Sequence, residues 1–395
     1  MKTTKNLVFP MIAALVLVST FVSEANAIPA FARKYNLSCT TCHAPAPRLK
    51  DYGDEFAGNG FRLPDGEEPR RAYQDTGDPE LLLQRDLPLA VRLDAYGVYE
   101  TREDDENVPD LQVPWGIKLL SGGSVMDDVG YYVYFYMAEE GEVAGVEDAY
   151  LHFNDLGGQP LDVMVGQFQI SDPMMKRELR LTFEDYEIYK AQPGGSVARL
   201  TYDRGVLVTY DTPIGLSLVG EVVNGNGLAA AEDGGDDFFD RDPDKGYLGR
   251  LVYAAGPVTA AGTYYATTEA LSASGTGFEN DVEVFGPDVH VGFDKVSASV
   301  QYLHRTDSDA TGSGSEIETD GVIGELTIMP AGPDGMDAVV LLYNWIDSDD
   351  DATDYETVTA SWSHLHARNL RMIAELTYDL EIEETRAVVG FTAAF

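Results

Sequence analysis

The chain has 395 residues, of which 67 are acidic and 27 are basic, and its formal net charge is −40. A field of this sign repels nucleic acid and attracts cations, so we expect no nucleic-acid partner. No apolar run after residue 27 is long enough to cross a membrane as a helix, and the length suits one large domain behind a short leader.

The first 27 residues have the pattern of a secretory signal peptide. Lys2 and Lys5 precede an apolar stretch from residue 7 to residue 22, and Ala25-Asn26-Ala27 is a small-x-small cleavage signal. An uncleaved membrane anchor fits less well, because Pro10 interrupts the run and the run is short for a bilayer span. We therefore expect residues 1–27 to be removed and the mature chain to begin at Ile28.

The only two cysteines stand in the run Cys39-Thr40-Thr41-Cys42-His43. A C-x-x-C-H run is typical of c-type haem attachment, in which two thiols bond to the porphyrin and the histidine is the proximal iron ligand. A disulfide and a zinc site are the alternatives. Residues 28–80 offer no further cysteine or histidine to complete four zinc ligands, and a disulfide gives no reason for His43. We predict one covalently bound haem c at Cys39, Cys42 and His43.

Aromatic residues flank this motif at helical spacing. Phe31 and Tyr35 lie one turn apart before it, and Leu49, Tyr52 and Phe56 share one face of a helix predicted from Pro47 to Gly58. This face covers the porphyrin or forms an ordinary small core. Residues 28–80 are few for an independent haem-binding fold, so we expect this segment to pack against the remainder of the chain, residues 81–395.

Alternating apolar and polar residues recur through residues 81–395. Val296, Ala298, Val300 and Tyr302, for example, alternate with polar neighbours, which indicates β-strands with one apolar face. We predict sixteen strands, near residues 89–99, 111–120, 129–138, 145–154, 160–170, 203–211, 214–224, 246–255, 259–270, 283–293, 295–305, 319–329, 336–347, 355–366, 369–379 and 385–395. This is the pattern of an all-β outer-membrane β-barrel, preceded here by a small helical segment.

The connections support the barrel. Short links fall on one rim, at residues 211–214, 255–257, 293–295, 330–335 and 366–369, and the opposite rim receives the long loops 171–202, 225–245, 271–282 and 306–318. Barrels of this class have short periplasmic turns and long external loops. Acidic residues concentrate in the predicted external loops, between 103 and 110, 232 and 244, 307 and 320, and 347 and 354. This acidity attracts cationic substrate, keeps the loops soluble, suits a salty habitat or binds divalent ions of the outer leaflet.

The chain around the motif contains residues 28–33 (IPAFAR), residues 38–43 (SCTTCH), and Leu49, Gly53, Phe56 and residues 59–61 (NGF). These residues resemble the start of the fused monohaem cytochrome–porins, outer-membrane proteins of which well-known members oxidise ferrous iron. A barrel whose last residue is Phe395 is similar in architecture. The resemblance implies a haem held in or under the pore, in the outer membrane of a Gram-negative bacterium.

The second axial ligand of the iron is left open by the haem segment, which has no methionine after residue 27 and no second histidine. His152 and His290 alternate with apolar neighbours, so both are expected to point into the lumen near its periplasmic end. They are the candidate distal ligands, although for either one taken singly a plain hydrogen-bonded lumen residue is the favoured interpretation. A five-coordinate iron, a water ligand or Lys34 is a further alternative. His304, on the apolar face of its strand, and His364 and His366, at a turn, are expected to be interface or surface residues.

We interpret the chain as an outer-membrane electron-transfer protein without separate catalytic residues. An external donor, with Fe(II) the first candidate, gives electrons to the haem, which passes them to a periplasmic c-type cytochrome or similar carrier. If it is an enzyme, it is an Fe(II)-oxidising cytochrome. The alternatives are a diffusion porin with a structural or sensory haem, and a conduit that delivers electrons outward.

Overall fold

The computed structural model describes most of the chain after residue 29. The described residues are 30–63, 73–74, 76–78, 81, 83–85, 88–101, 107–126, 128–228, 239–240, 243–273 and 276–395. The predicted signal peptide lies outside them, as do parts of the acidic loops near 103–110 and 232–244. Among the described residues, no helix is both long and apolar enough to cross a membrane.

Sixteen antiparallel strands close into one barrel in the described part of the chain. A short pairing of β1 (Tyr73–Gln74) with β2 (Leu83–Gln84) precedes it. The barrel strands are β3 Leu89–Glu100, β4 Val108–Met126, β5 Val129–Glu139, β6 Gly145–Phe153, β7 Leu161–Gln169, β8 Tyr202–Asp211, β9 Leu216–Val223, β10 Gly246–Ala255, β11 Val258–Ala273, β12 Thr276–Phe293, β13 Val296–Asp307, β14 Ile317–Ile328, β15 Asp337–Ser348, β16 Tyr355–Ala367, β17 Leu370–Asp379 and β18 Thr385–Ala394. All sixteen predicted strands are confirmed.

The barrel closes between its last and first strands. β18 pairs with β3 over a register that runs from Arg386 opposite Glu100 to Ala394 opposite Arg92. Phe395 extends this pairing, since its N–H donates to the Val91 carbonyl (2.9 Å) and its carbonyl accepts from the Val91 N–H (2.7 Å). An even strand number puts both ends of the barrel chain on the rim of short turns, as predicted.

The strands owe their two faces to the alternation in the sequence. Along β14, Ile323 is fully buried toward the lumen, whereas along β13 the outward Val300 is 54% exposed. Outward apolar side chains of this kind surround the barrel, as a lipid-facing surface requires. Tyr134 and Tyr136 face inward on β5 and Val133 and Met137 face outward, in agreement with the sequence pattern.

Two predicted external loops differ in the structure. The loop predicted at 271–282 is almost entirely strand, because β11 and β12 continue to Ala273 and from Thr276. Polar pairs sustain this hairpin: Asn280 Nδ2 donates to Glu269 (2.7 Å), and Thr268 Oγ1 donates to Asp281 (2.7 Å). These polar residues have the composition of a loop, but their side chains pair across two strands.

The second difference is larger. The connection 170–201, which we call the lumen loop, folds into the barrel rather than outward. It contains two 3₁₀ turns, Arg177–Leu179 and Glu187–Lys190. Its apolar side chains Leu181, Ile188, Tyr189 and Leu200 are buried. Ile188 and Tyr189 join one cluster with wall residues of β12 to β15, so burial of apolar surface draws this loop inward.

Wall residues hold the lumen loop by hydrogen bonds, and Glu375, Arg305 and Glu269 are three examples. Glu375 on β17 accepts from the backbone N–H groups of Phe183 (2.7 Å) and Glu184 (2.8 Å). Arg305 on β13 donates to the carbonyls of Ala191 and Ala198, both at 2.9 Å. Glu269 on β11 accepts from two consecutive loop N–H groups. The loop is therefore held at several points around the wall.

The N-terminal unit, which we define as residues 30–63, contains three helices: α1 Ala30–Tyr35, α2 Cys39–Cys42 and α3 Asp51–Gly58. α3 begins four residues later than predicted. This unit lies at the short-turn end of the lumen, where it contacts both the wall and the lumen loop.

Candidate functional site

The Cys39–His43 motif forms a single helical turn. Ser38 caps it, because its hydroxyl accepts from the N–H of Thr40 (3.3 Å), and the N–H of His43 donates to the Cys39 carbonyl (2.9 Å). Both cysteines are free thiols at intermediate exposure, and burial raises the pKa of each. Two thiols and one imidazole therefore project from the same turn.

The imidazole of His43 is held in one tautomer. Its Nδ1 lies 3.0 Å from the Pro47 carbonyl oxygen and 3.3 Å from that of Arg48. A carbonyl oxygen only accepts, so Nδ1 carries the proton and Nε2 keeps its lone pair. Burial lowers the pKa of His43, which favours the neutral ring. A neutral imidazole with a free Nε2 and a backbone-bonded Nδ1 is the form in which histidine binds metals.

The chain after the motif folds back onto it. The N–H of Lys50 donates to the Cys42 carbonyl (2.8 Å), and the N–H of Ala44 donates to the Arg48 carbonyl (2.9 Å). A methyl group on Gly53 would lie 2.4 Å from the Cys42 carbonyl oxygen. Only glycine therefore allows α3 to approach the motif this closely, and residues 44–50 form the short loop that presents its carbonyls to His43.

An aromatic cluster forms the core of the N-terminal unit. Phe31 stacks on Phe61 at a centroid distance of 5.1 Å, and Tyr35 meets Phe56 edge-on at 5.6 Å. The Tyr35 hydroxyl donates to the Phe61 carbonyl (2.9 Å). The predicted apolar face of α3 is thus partly used for this core, through Phe56.

One side of the N-terminal unit contacts β13, β14 and β15. Arg48 donates to Ser297 (2.7 Å), Thr327 (3.0 Å) and Glu325 (3.2 Å). Ala44, next to His43, belongs to a small buried cluster that also contains Leu181 of the lumen loop and the wall residues Met329, Ala338 and Val340. The motif therefore lies against this part of the wall.

The other side of the unit contacts β4 and β5. Gly60 packs on Gly130, Phe61 stacks on Tyr132 at 5.0 Å, and Arg62 pairs with Asp128 at 2.6 Å. The unit thus spans the lumen from β14 to β5. From Tyr132 the aromatic contacts continue along β5 to Tyr134 (6.5 Å) and Tyr136 (5.3 Å), toward the rim of long loops.

The lumen loop and the N-terminal unit cover the inner surface of part of the barrel wall. Inward-facing side chains of β13 to β17 are buried along most of each strand, including polar ones such as Thr319, Thr327, Asn344 and Thr359. Polar lumen residues that water reached would be exposed. On these five strands the lumen loop and the N-terminal unit take the place of water.

The candidate distal ligands lie on different parts of the wall. His290 faces the lumen on β12, and its Nδ1 is 2.8 Å from the Ser299 hydroxyl, two residues along β13 from the Ser297 that Arg48 contacts. His152 is buried on β6, beside Gly130, and its Nδ1 has no hydrogen-bond partner. β6 is eight strands from β14 in the sixteen-stranded ring, so His152 lies across the lumen from Ala44.

His304 and His364 face outward. His304 pairs with Asp320 (2.8 Å) and packs on Phe285, and His364 pairs with Asp337 (2.9 Å) beside Trp362. Among the described residues, no cluster of three or more His, Cys, Asp or Glu side chains is arranged to hold a metal ion.

Sequence reasoning did not identify Arg48, Glu325 or Met329 as parts of this site. Glu325 carries a signal in retrospect, since it is an acidic residue on the inward face of β14 beside Ile323. Arg48 gives no such signal, because its partner is 277 residues away in the chain.

No family model and no curated protein matches the chain. Solved barrels do match. An anion-selective porin from Comamonas acidovorans is 13% identical, with a TM-score of 0.57 over 78% of this chain and 99% of that one. A loop-deletion form of OmpT from Vibrio cholerae is 12% identical (TM-score 0.54; 78% and 99%), and OmpF of Salmonella typhi in complex with daunomycin is 12% identical (0.53; 78% and 97%). The fold is therefore that of the porin-type β-barrels of the Gram-negative outer membrane, as predicted.

Proposed function

We propose that this chain is an outer-membrane electron-transfer protein of the kind its N-terminal residues resemble, the fused monohaem cytochrome–porins. Cys39 and Cys42 would attach one haem c and His43 would bind its iron, so that the protein would accept electrons from an external donor. Fe(II) is the first candidate donor, and a periplasmic c-type cytochrome or similar carrier receives the electrons. When bound, the haem supplies a one-electron couple between ferric and ferrous iron.

The observation that carries this proposal is the state of His43. A histidine of an ordinary small core has no need of a fixed Nε2 lone pair, whereas a haem ligand does. Here the Pro47 and Arg48 carbonyls bond Nδ1, and both thiols lie within the same helical turn. A disulfide would use the thiols but leave this arrangement of His43 without a role. The donor set therefore fits a c-type haem.

The barrel interior supports an insulating role. The lumen loop is anchored through Glu375, Arg305 and Glu269, and the wall of β13 to β17 is covered. A protein that moves electrons rather than solutes has no use for a wide aqueous pore. Acidic residues in the connections of the long-loop rim, among them Asp349, Asp350 and Asp351, suit the approach of a hard divalent cation.

A second candidate function is that of a diffusion porin in which the haem is structural or sensory. The likeness to solved barrels favours it, since those barrels include an anion-selective porin and an outer-membrane channel of Acinetobacter baumannii, DcaP, at 14% identity (TM-score 0.51; 78% of this chain and 97% of that one). A conduit that delivers electrons outward would have the same architecture and would differ only in the reduction potentials of its electron donor and acceptor.

Two measurements on the purified, full-length protein separate these functions. Stopped-flow absorbance follows the oxidised protein mixed with Fe²⁺, and planar-bilayer recording follows ion conductance. The conduit predicts rapid reduction and conductance far below that of an open porin. Porin-like conductance in a protein that dithionite reduces but Fe²⁺ does not would favour the diffusion porin.

A further inference from the structure

Arg48 links the motif loop to the barrel wall. Its Nη1 donates to Glu325 Oε1 (3.2 Å) and Thr327 Oγ1 (3.0 Å), and its Nη2 donates to Ser297 Oγ (2.7 Å). Three partners on two adjacent strands, β13 and β14, hold one guanidinium in a fixed position. The side chain therefore connects the N-terminal unit to residues more than 240 positions away.

The backbone of the same residue serves His43. The Arg48 carbonyl lies 3.3 Å from His43 Nδ1 and accepts from the Ala44 N–H at 2.9 Å. Any shift of Arg48 relative to the wall thus moves a group that orients the imidazole. The guanidinium is the cationic end of a residue in direct contact with the proposed proximal ligand.

Glu325 is the counter-charge. Its Oε2 accepts from the Tyr186 hydroxyl of the lumen loop (2.6 Å), and its side chain is 6% exposed, against 22% for Arg48. One buried carboxylate therefore joins the N-terminal unit, the wall and the lumen loop. Charges removed from water in this way interact more strongly with their surroundings than surface charges do, because the local dielectric constant is low.

We propose that Arg48 and Glu325 form a charge pair through which the barrel wall sets the reduction potential at the Cys39–His43 site. The inference rests on the proposed function, since it requires the haem. Loss of an electron adds one positive charge to that site. A nearby cation opposes the added charge and a nearby anion favours it, so the two members of the pair act in opposite directions.

The test is a potentiometric titration of four detergent-solubilised proteins: wild type, Arg48→Gln, Glu325→Gln and Arg62→Gln. Arg48→Gln is expected to lower the equilibrium constant for reduction about tenfold, which is a fall of 59 mV for one electron. Glu325→Gln is expected to raise the equilibrium constant for reduction by a similar factor. The glutamine side chain can still accept a hydrogen bond from Tyr186. Arg62→Gln removes the same charge from the β5 side of the unit and is expected to change it less than twofold.

Two further variants guard against misfolding. Arg48→Lys keeps the charge and is expected to stay closer to wild type than Arg48→Gln, and the double variant Arg48→Gln/Glu325→Gln is expected to lie between the single variants. Shifts of the same sign in the two single variants, or shifts below twofold in both, would overturn the charge pair. Absence of covalent haem from the wild type, measured as the pyridine haemochrome, would overturn the proposed function instead.

Discussion

Gly60 and Gly130 meet backbone to backbone where the N-terminal unit docks on β5. A methyl group on Gly130 would lie 2.3 Å from the Gly60 carbonyl oxygen and 2.7 Å from its Cα. Gly60 itself has a positive φ of 62°, in the left-handed region that favours glycine. The pair fixes the distance at which the unit approaches the wall, on the side opposite Arg48.

Gly130→Ala is therefore expected to weaken docking of residues 30–63. The methyl group must displace backbone rather than a flexible side chain, at a cost of about 1–3 kcal/mol. Protease digestion of the folded protein is expected to release fragments of the unit faster than in wild type. Gly249→Ala is the matched control, because nothing lies within 4 Å of a methyl group there. Equal digestion rates in the two variants would contradict the contact.

Replacing both Cys39 and Cys42 by alanine is expected to abolish covalent haem. Each thiol supplies one attachment point, and no other cysteine exists in the chain. Haem staining after denaturing electrophoresis is the measurement, and Thr41→Ala, within the same turn, is the control that should still stain. A stained band from the double variant would show that these thiols are not the attachment points.

His152→Ala is expected to leave the haem absorption spectrum unchanged. The motif lies against β14 and β15 through Ala44, whereas His152 is on β6, eight strands around the ring. From this position we do not expect His152 to reach an iron held at the motif. His290, on β12, remains the histidine candidate. A change from six- to five-coordinate spectra in His152→Ala would place the distal ligand on β6 after all.

Arg305→Gln is expected to loosen the lumen loop. Arg305 is 4% exposed, and its loss leaves the Ala191 and Ala198 carbonyls without their donor and removes the ion pair with Asp307, which keeps its hydrogen bond from Asn280. Breaking a buried ionic network by removing one member costs about 3–5 kcal/mol. The measurements are ion conductance in planar bilayers and heat-induced mobility shift on gels, and both should change. Lys190→Gln removes a half-exposed charge from the same loop and should change neither.

The strands were predictable because the barrel wall is dictated by local alternation. Alternating residues of one strand, such as the inward Ser297 and the outward Val300, show which face is polar and which is apolar, and this pattern does not depend on contacts far away in the sequence. Local composition gave wrong predictions in two places. Polar residues such as Asn280 indicated a loop, but Asn280 pairs with Glu269 across two strands. The connection 170–201 was predicted to be external, but it buries Ile188 and Tyr189 in the lumen. Both features depend on contacts between residues that are brought together only when the barrel closes.

The candidate site also has a part that local sequence predicts and a part that it does not. Cys39, Cys42 and His43 are adjacent in sequence, so their proximity follows from one helical turn, and their haem-binding role remains a prediction. The contacts that hold the turn are not local. Arg48 meets Glu325 only because the N-terminal unit enters the lumen at β14, and the sequence has no pattern that encodes that choice of strand. Likewise, nothing in the spacing of His152 and His290 tells which wall the motif faces.

Under the proposed function, electrons cross the membrane through this one chain, and reconstituted vesicles can test that claim. Vesicles that contain the protein and enclose oxidised cytochrome c are mixed with external Fe²⁺, and absorbance of the enclosed cytochrome is followed. We expect the enclosed cytochrome to be reduced, and we expect this reduction to be lost when Cys39 and Cys42 are both replaced by alanine. Enclosed cytochrome that stays oxidised, although the protein carries its haem and spans the bilayer, would contradict the claim.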